Sequence, residues 1–225
     1  SRSKLDWEEN ERETTWWRVS AEGSEPYRYI GEDGGSNFQF SPDGSRLAFT
    51  RSVDDKAQLF LLPTTGGEAT QLSEHETSIS SYVWSEDGSR IFFVASEPRT
   101  DEEEKAREDG YDAIFVDEGP NGQQTGSWNN LWFIEVESSE EQRLTDSDHR
   151  IGSFSVSPSA DRILFTARTE NRRNQGNLSE IQLLELETGN VRQLTDNSAP
   201  EGALSWAPDG RSFAYVARTD AEWEL

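Results

Sequence analysis

The chain contains no cysteine and no methionine, and two of its 225 residues are histidine. Without cysteine there is no disulfide, no thiolate metal site and no thiol nucleophile, and the redox state of the compartment leaves no mark. Lysine is nearly missing too: Lys4, Lys56 and Lys105 are the three, and 21 basic residues face 44 acidic ones for a net charge of -23. Nucleic acids and anionic lipid surfaces bind through Lys and Arg, so this balance argues against both as partners. No stretch approaches the ~18 consecutive apolar residues of a membrane span. No G-x-S-x-G elbow occurs, so the turn that exposes an activated serine in α/β-hydrolases is not among these residues.

What is present is repetition. Four near-copies of one decapeptide run through the chain: FSPDGSRLAF from Phe40, WSEDGSRIFF from Trp84, VSPSADRILF from Val156 and WAPDGRSFAY from Trp206. Each begins with an apolar residue, clusters Ser, Pro, Asp and Gly, and then returns to alternation, which is the pattern of two strands joined by a tight turn. Asp43-Gly44, Asp87-Gly88 and Asp209-Gly210 form the turns, with glycine supplying positive φ and aspartate capping its own backbone. These are structural roles. The third copy has Ser159-Ala160-Asp161 instead, so its turn must differ or be carried by a residue other than glycine.

A second hairpin follows each of the first three copies: Gln58 to Leu62 with Gly66-Gly67 and Thr70-Gln71-Leu72, Leu131 to Val136 with Gln142 to Asp146, and Ile181 to Leu186 with Arg192 to Asp196. Four strands per repeat predict antiparallel meanders stacked as β-propeller blades. The fold class is therefore all-β, a propeller fragment of about three whole blades and two partial ones. Residues 1–30 and 197–225 are the partial blades, and 31–74, 75–146 and 147–196 the whole ones. The run from Thr14 to Val19 reads as the third strand of a blade, so the first partial blade is expected to hold its third and fourth strands. The middle blade is longer by roughly 25 residues than the ~40–45 of an ordinary blade. Its insertion, residues 97–128, lies between the second and third strands. Thr100-Asp101-Glu102-Glu103 has a capping-box pattern that predicts a short helix through Arg107. Asp112 to Asp117 is expected to be an added strand, and Gly119 to Gly122 a turn.

Residues with chemical potential are few. His75 and His149 each sit in a polar link between blades; a histidine beside carboxylates can act as a general base or metal ligand, but without a second histidine nearby these read as solvated loop residues. Asp146 and Asp148 form an isolated D-x-D, and Asp117 to Gly122 lacks the alternating ligands and closing glutamate of a calcium loop. No cofactor or metal site is expected. Trp84 and Trp206 begin turn motifs and should pack between blades, with Trp16, Trp17 and Trp132 in the core; Trp7 and Trp128 are freer. The loops best placed to face a substrate or partner carry His75, Glu76, Glu102, Asp112, Trp128 and His149. The excess carboxylates are spread along the chain, which suits a high-salt or solubility role better than one face for basic ligands.

The repeat W-S-P-D-G-x-x-I-A-F, followed by L-W-[VI]-x-[DE] and R-[QR]-L-T-D, resembles the WD-type propeller repeats of TolB-type proteins and of the amino-terminal domains of the prolyl oligopeptidase family. Asp6 to Asn10, His75-Glu76-Thr77 with Val83-Trp84-Ser85, and Thr100 to Arg107 running into Asp112-Ala113-Ile114 tilt the resemblance toward bacterial acylaminoacyl-peptidase and dipeptidyl-peptidase relatives. It implies a propeller set over a serine hydrolase domain of the same parent chain, limiting entry to short peptides, and a chain that is not catalytic by itself. A TolB-like propeller that docks a protein partner is the alternative, and a propeller glycosidase is disfavoured because no acid recurs at the inner strands. Open blade ends would also permit a homo-oligomer. The cytoplasm is the expected compartment, with the periplasm as the alternative.

Overall fold

The computed structural model describes residues 2–6, 11–30, 34–110, 128–169, 178–197 and 199–217. Three four-stranded antiparallel sheets follow one another along the chain. The first is β4 (Ser36–Phe40), β5 (Arg46–Val53), β6 (Lys56–Pro63) and β7 (Thr70–Gln71). The second is β8 (Ile79–Trp84), β9 (Arg90–Ser96), β10 (Asn129–Glu135) and β11 (Glu141–Arg143). The third is β12 (Arg150–Val156), β13 (Arg162–Arg168), β14 (Glu180–Glu185) and β15 (Val191–Gln193). In each, spatial order equals chain order. These are propeller blades, as the repeats predict.

On one flank, β1 (Arg2–Asp6), β2 (Glu11–Arg18) and β3 (Tyr27–Ile30) make a three-stranded sheet. This corrects the two strands expected there, because Arg2 to Asp6 pairs antiparallel with Thr15 to Glu11. On the other flank β16 (Glu201–Trp206) and β17 (Phe213–Ala217) form a hairpin. The predicted helix is α1 (Asp101–Glu108), and its capping box is complete: Glu103 N donates to Thr100 Oγ1 at 3.2 Å and Thr100 N donates to the Glu103 carboxylate at 2.8 Å. The strand expected at 112–117 and the turn at 119–122 lie outside the described residues, as do Trp7 and Asp112.

Apolar clusters fill all four junctions between adjacent sheets. The middle strands therefore bury both faces, which is why they read as apolar runs rather than alternating ones. In Ile91-Phe92-Phe93-Val94-Ala95, all at most 1% exposed, the odd residues join the cluster with the preceding blade and the even ones the cluster with the next. Trp84 and Trp206 do pack between blades, and each indole N–H reaches the inner strand of the blade before it, Gln39 O at 3.4 Å and Ser155 O at 3.0 Å. Trp17 departs from its expected core place at 38% exposure, and Trp16 beside it is the one packed against the next blade, its ring centre 4.3 Å from that of Phe38.

The turns are built from a serine that sequence reading passed over. Ser41 Oγ accepts Arg46 N at 2.9 Å and donates to Asp43 at 2.6 Å, and Asp43 accepts Ser45 N at 3.0 Å. Ser85, Asp87 and Ser89 repeat this. In the third copy Ala160 takes the glycine's place at φ 51°, and serine and aspartate change sides: Ser157 Oγ donates to Asp161 at 2.7 Å. The geometry is kept and the residues are permuted. Each inner hairpin also carries a register shift, at Ser36/Gln39, Ile79/Ser81, Ile151/Phe154 and Gly202/Ser205. Such bulges add twist to the inner strand. At Gly152 a Cβ would lie 2.7 Å from Thr166 Oγ1, so the third bulge requires glycine.

Candidate functional site

The candidate loops gather at the end of the blades opposite the S-P-D-G turns. At the turn end, Thr64 Oγ1 donates to Gly44 O at 2.9 Å and Val136 N to Ser89 O at 2.9 Å, placing the two hairpin turns of a blade side by side. At the other end the insertion closes with Glu97 N donating to Trp128 O at 2.8 Å, and Asn129 N donates to His149 O at 3.2 Å.

A repeated clamp holds this end. The hydroxyl after the outermost strand, Ser73, Thr145 or Thr195, accepts the N–H of Leu59, Leu131 or Ile181 at 2.9, 3.0 and 2.8 Å. It donates in turn to Gln58 Oε1, Asn130 Oδ1 or Glu201 Oε2 at 2.7, 2.6 and 2.6 Å. Two residues earlier, Gln71, Arg143 and Gln193 each donate to the carbonyl of that same hydroxyl residue at 2.7 Å. This is what the R-[QR]-L-T-D motif does. Its regular spacing was visible in sequence, but its partners Gln58 and Asn130 lie on another strand.

His75 is not the solvated loop residue expected. It is 9% exposed, its ring stands edge-on to Trp132 and Phe93 at 4.8 and 5.2 Å, and Nδ1 lies 2.7 Å from Glu141 Oε2. Gln58 fixes its backbone at both N–H and carbonyl, each at 2.9 Å. Glu97 at the base of the insertion accepts from Asn130 at 2.7 Å and pairs with Arg143 at 3.0 Å, while Arg143 also meets Asp146 at 2.8 Å and lies over Trp132. Glu76 and Glu102 are exposed and Trp128 is half-buried. His149 is half-buried with Nδ1 2.6 Å from Ser147 Oγ. Burial, partly offset by Asp148, pulls its pKa below the ordinary histidine value.

Chemically this end is a hydrogen-bonded rim. The Ser147–His149 contact belongs to a tight local turn, His149 N donating to Ser147 O at 2.7 Å, rather than to residues brought together from separate elements as in hydrolase triads. Among the described residues no three His, Asp or Glu side chains converge as metal ligands would. No helix of the described residues is long and apolar enough to cross a membrane.

No family model matches the chain. It is 31% identical over 154 residues to the uncharacterized peptidase YuxL of Bacillus subtilis (strain 168), a match covering 64% of this chain and 23% of that protein. Among solved structures, a putative TolB from Agrobacterium tumefaciens superposes with a TM-score of 0.61 at 19% identity, over 93% of this chain and 64% of that one. The acylaminoacyl peptidase of Pyrococcus horikoshii does so at 0.57 and 23% identity, over 86% of this chain and 30% of that one. The chain thus spans about a quarter of its curated relative's length. The resemblance carried by the repeat motifs, to propellers of TolB and of prolyl-oligopeptidase-type peptidases, is borne out.

Proposed function

We propose that this chain is the non-catalytic propeller portion of a serine exopeptidase or oligopeptidase, restricting and guiding short peptides toward a hydrolase domain of the same parent protein. The observation that carries the reading is the match to a peptidase at 31% identity over 154 residues, on a chain whose described rim is built as hydrogen-bonded structure rather than as a nucleophile with its base. Selection is steric. Blades clamped at both ends form a rigid wall, and the insertion at 97–128 with the links at His75 and His149 sets what passes its rim.

The test has two arms. The 225-residue chain should not hydrolyse peptidyl or acyl-amino chromogenic substrates above buffer; turnover abolished by a substitution within the chain would overturn the reading. In the parent protein, shortening the insertion between Glu97 and Trp128 should raise kcat/KM for long peptides more than for short ones. Equal effects on both would remove the gating role. The TolB likeness supports an interaction module as the second reading. A G-x-S-x-G strand-turn-helix followed by Asp and His in the parent sequence decides for the peptidase.

A further inference from the structure

Four Asp-Gly pairs occur in the chain: Asp43-Gly44, Asp87-Gly88, Asp109-Gly110 and Asp209-Gly210. The dipeptide is a chemically weak point, because glycine has no side chain to shield its backbone nitrogen from the aspartyl carboxyl one residue before. The structure treats the four differently.

In the first two, both reacting groups are engaged. Asp43 accepts Ser41 Oγ at 2.6 Å and Ser45 N at 3.0 Å, and Asp87 accepts Ser85 Oγ, Ser89 N and Ser89 Oγ. The glycine nitrogens Gly44 N and Gly88 N donate to Ser41 O and Ser85 O at 2.8 and 3.0 Å. Asp209-Gly210 keeps part of this. Gly210 N donates to Ala207 O at 2.8 Å, but Ala207 stands where the first two turns have serine, and the Asp209 carboxylate accepts Arg211 N at 3.0 Å. Asp109-Gly110 follows α1 and has none of it. Asp109 N donates to Lys105 O at 2.9 Å, yet among the described residues neither the Asp109 carboxylate nor Gly110 N has a hydrogen-bond partner. Both residues are exposed, and Gly110, at φ 78°, has open space around the place of a Cβ.

We propose that Asp109 is a modification site, isomerising to isoaspartate through attack by Gly110 N while Asp43 and Asp87 stay intact. Gly110 N bonds to Asp109 Cγ, and the neutral carboxyl loses its hydroxyl together with the amide proton as water, leaving a cyclic imide. Water then adds to one of the two imide carbonyls. Opening at the main-chain carbonyl breaks its bond to Gly110 N, frees an α-carboxylate and runs the backbone through Cβ and Cγ; opening at Cγ restores aspartate. Water leaves and returns, and nothing is oxidised or reduced. Ring closure also removes a negative charge from the carbonyl end of α1, where the helix dipole is negative.

The turn hydrogen bonds protect by chemistry as well as by geometry. Only the neutral carboxyl loses water, and a carboxyl held at about 2 instead of 3.8 is neutral more than ~10-fold less often at any pH above both values. The product adds a backbone methylene where α1 leads into the rest of the 97–128 insertion. The inference stands apart from the peptidase reading.

The test is an ageing experiment. The native protein held at about pH 5, where an ordinary aspartate is still ~5–10% neutral, should accumulate isoaspartate first at Asp109 and next at Asp209. Asp43 and Asp87 should lag Asp109 by more than ~10-fold. Peptide mapping with electron-transfer fragmentation reads each site, and it separates Asp109, which isomerises at constant mass, from Asn121-Gly122, which changes mass by deamidation. Gly110→Ala should slow Asp109 alone. Unfolded in guanidinium chloride, the four sites should converge on one rate. Asp43 or Asp87 keeping pace with Asp109 in the native protein, an undiminished rate in Gly110→Ala, or a native order that persists after unfolding would each overturn the proposal.

Discussion

Asp87 illustrates how one exposed residue couples the fold to pH. It accepts Ser85 Oγ at 2.6 Å, Ser89 N at 3.0 Å and Ser89 Oγ at 2.8 Å, and these donors, the Ser85 hydroxyl foremost, hold its carboxyl down from 3.8 to about 2. Asp43 is held at about 2 by the same set, led by Ser41. A depressed folded pKa stabilises above the unfolded value, and that contribution is lost as pH falls from about 4 through about 2. Asp87→Asn should therefore flatten the acid limb of stability between those values, measured by urea unfolding at each pH; an unchanged slope would mean the turn carboxylate is not coupled to folding. Tyr82 acts at the other end of the scale. Its phenol donates to Asn37 O across a blade junction, and burial raises its pKa well above the ordinary range. The raised folded value means stability is full below pH ~10 and declines above it as the unfolded chain ionises. Tyr82→Phe should cost ~1 kcal/mol at neutral pH, the net worth of one hydrogen bond, and lessen the alkaline decline.

Among elements, the outermost strands are the shortest, two or three residues in the whole blades, and two residues' worth of ladder does not hold a strand in place unaided. The hydroxyl clamp supplies what the ladder lacks. Thr145→Val keeps the shape but leaves the buried Leu131 N without its partner and the buried Asn130 Oδ1 with Ser147 N at 3.4 Å in place of two donors, and an unsatisfied buried polar group costs ~1–3 kcal/mol. We expect a loss of ~2–4 kcal/mol by denaturant unfolding, with Thr145→Ser restoring most of it. Restoration by serine is the informative outcome, since a simple packing defect would not be relieved by removing a methyl group.

At the scale of the molecule, a charge of -23 on 225 residues opposes compaction, since 21 basic residues offset fewer than half of the 44 acidic ones. The thermal midpoint should rise between about 0.05 and 1 M sodium chloride as the Debye length falls to ~3 Å. A flat or falling midpoint would show that the surface carboxylates are already solvated without strain. Phe93→Ala tests the opposite term. Its ring is fully buried at the junction of the first two whole blades, and its loss should cost ~3–5 kcal/mol.

Strand pairing within a blade, the turns and the helix cap were legible in the sequence because they are local: Thr100 and Glu103 are three residues apart, and the two strands of a hairpin are joined by the residues that turn them. The same holds for the inter-blade tryptophans, whose place repeats with the motif. What the sequence did not determine alone is whatever joins distant residues. His75 looks like a polar loop residue by its neighbours Glu74 and Glu76, yet it is buried because Trp132 and Glu141, from strands far along the chain, close over it. Trp17 reads as core by its strand and is exposed because a strand's two faces share one local pattern, and only the tertiary arrangement decides which face meets a neighbour. The permuted Ser157–Asp161 turn makes the same point in small: donor and acceptor need to meet in space, and the order in which the chain supplies them is free.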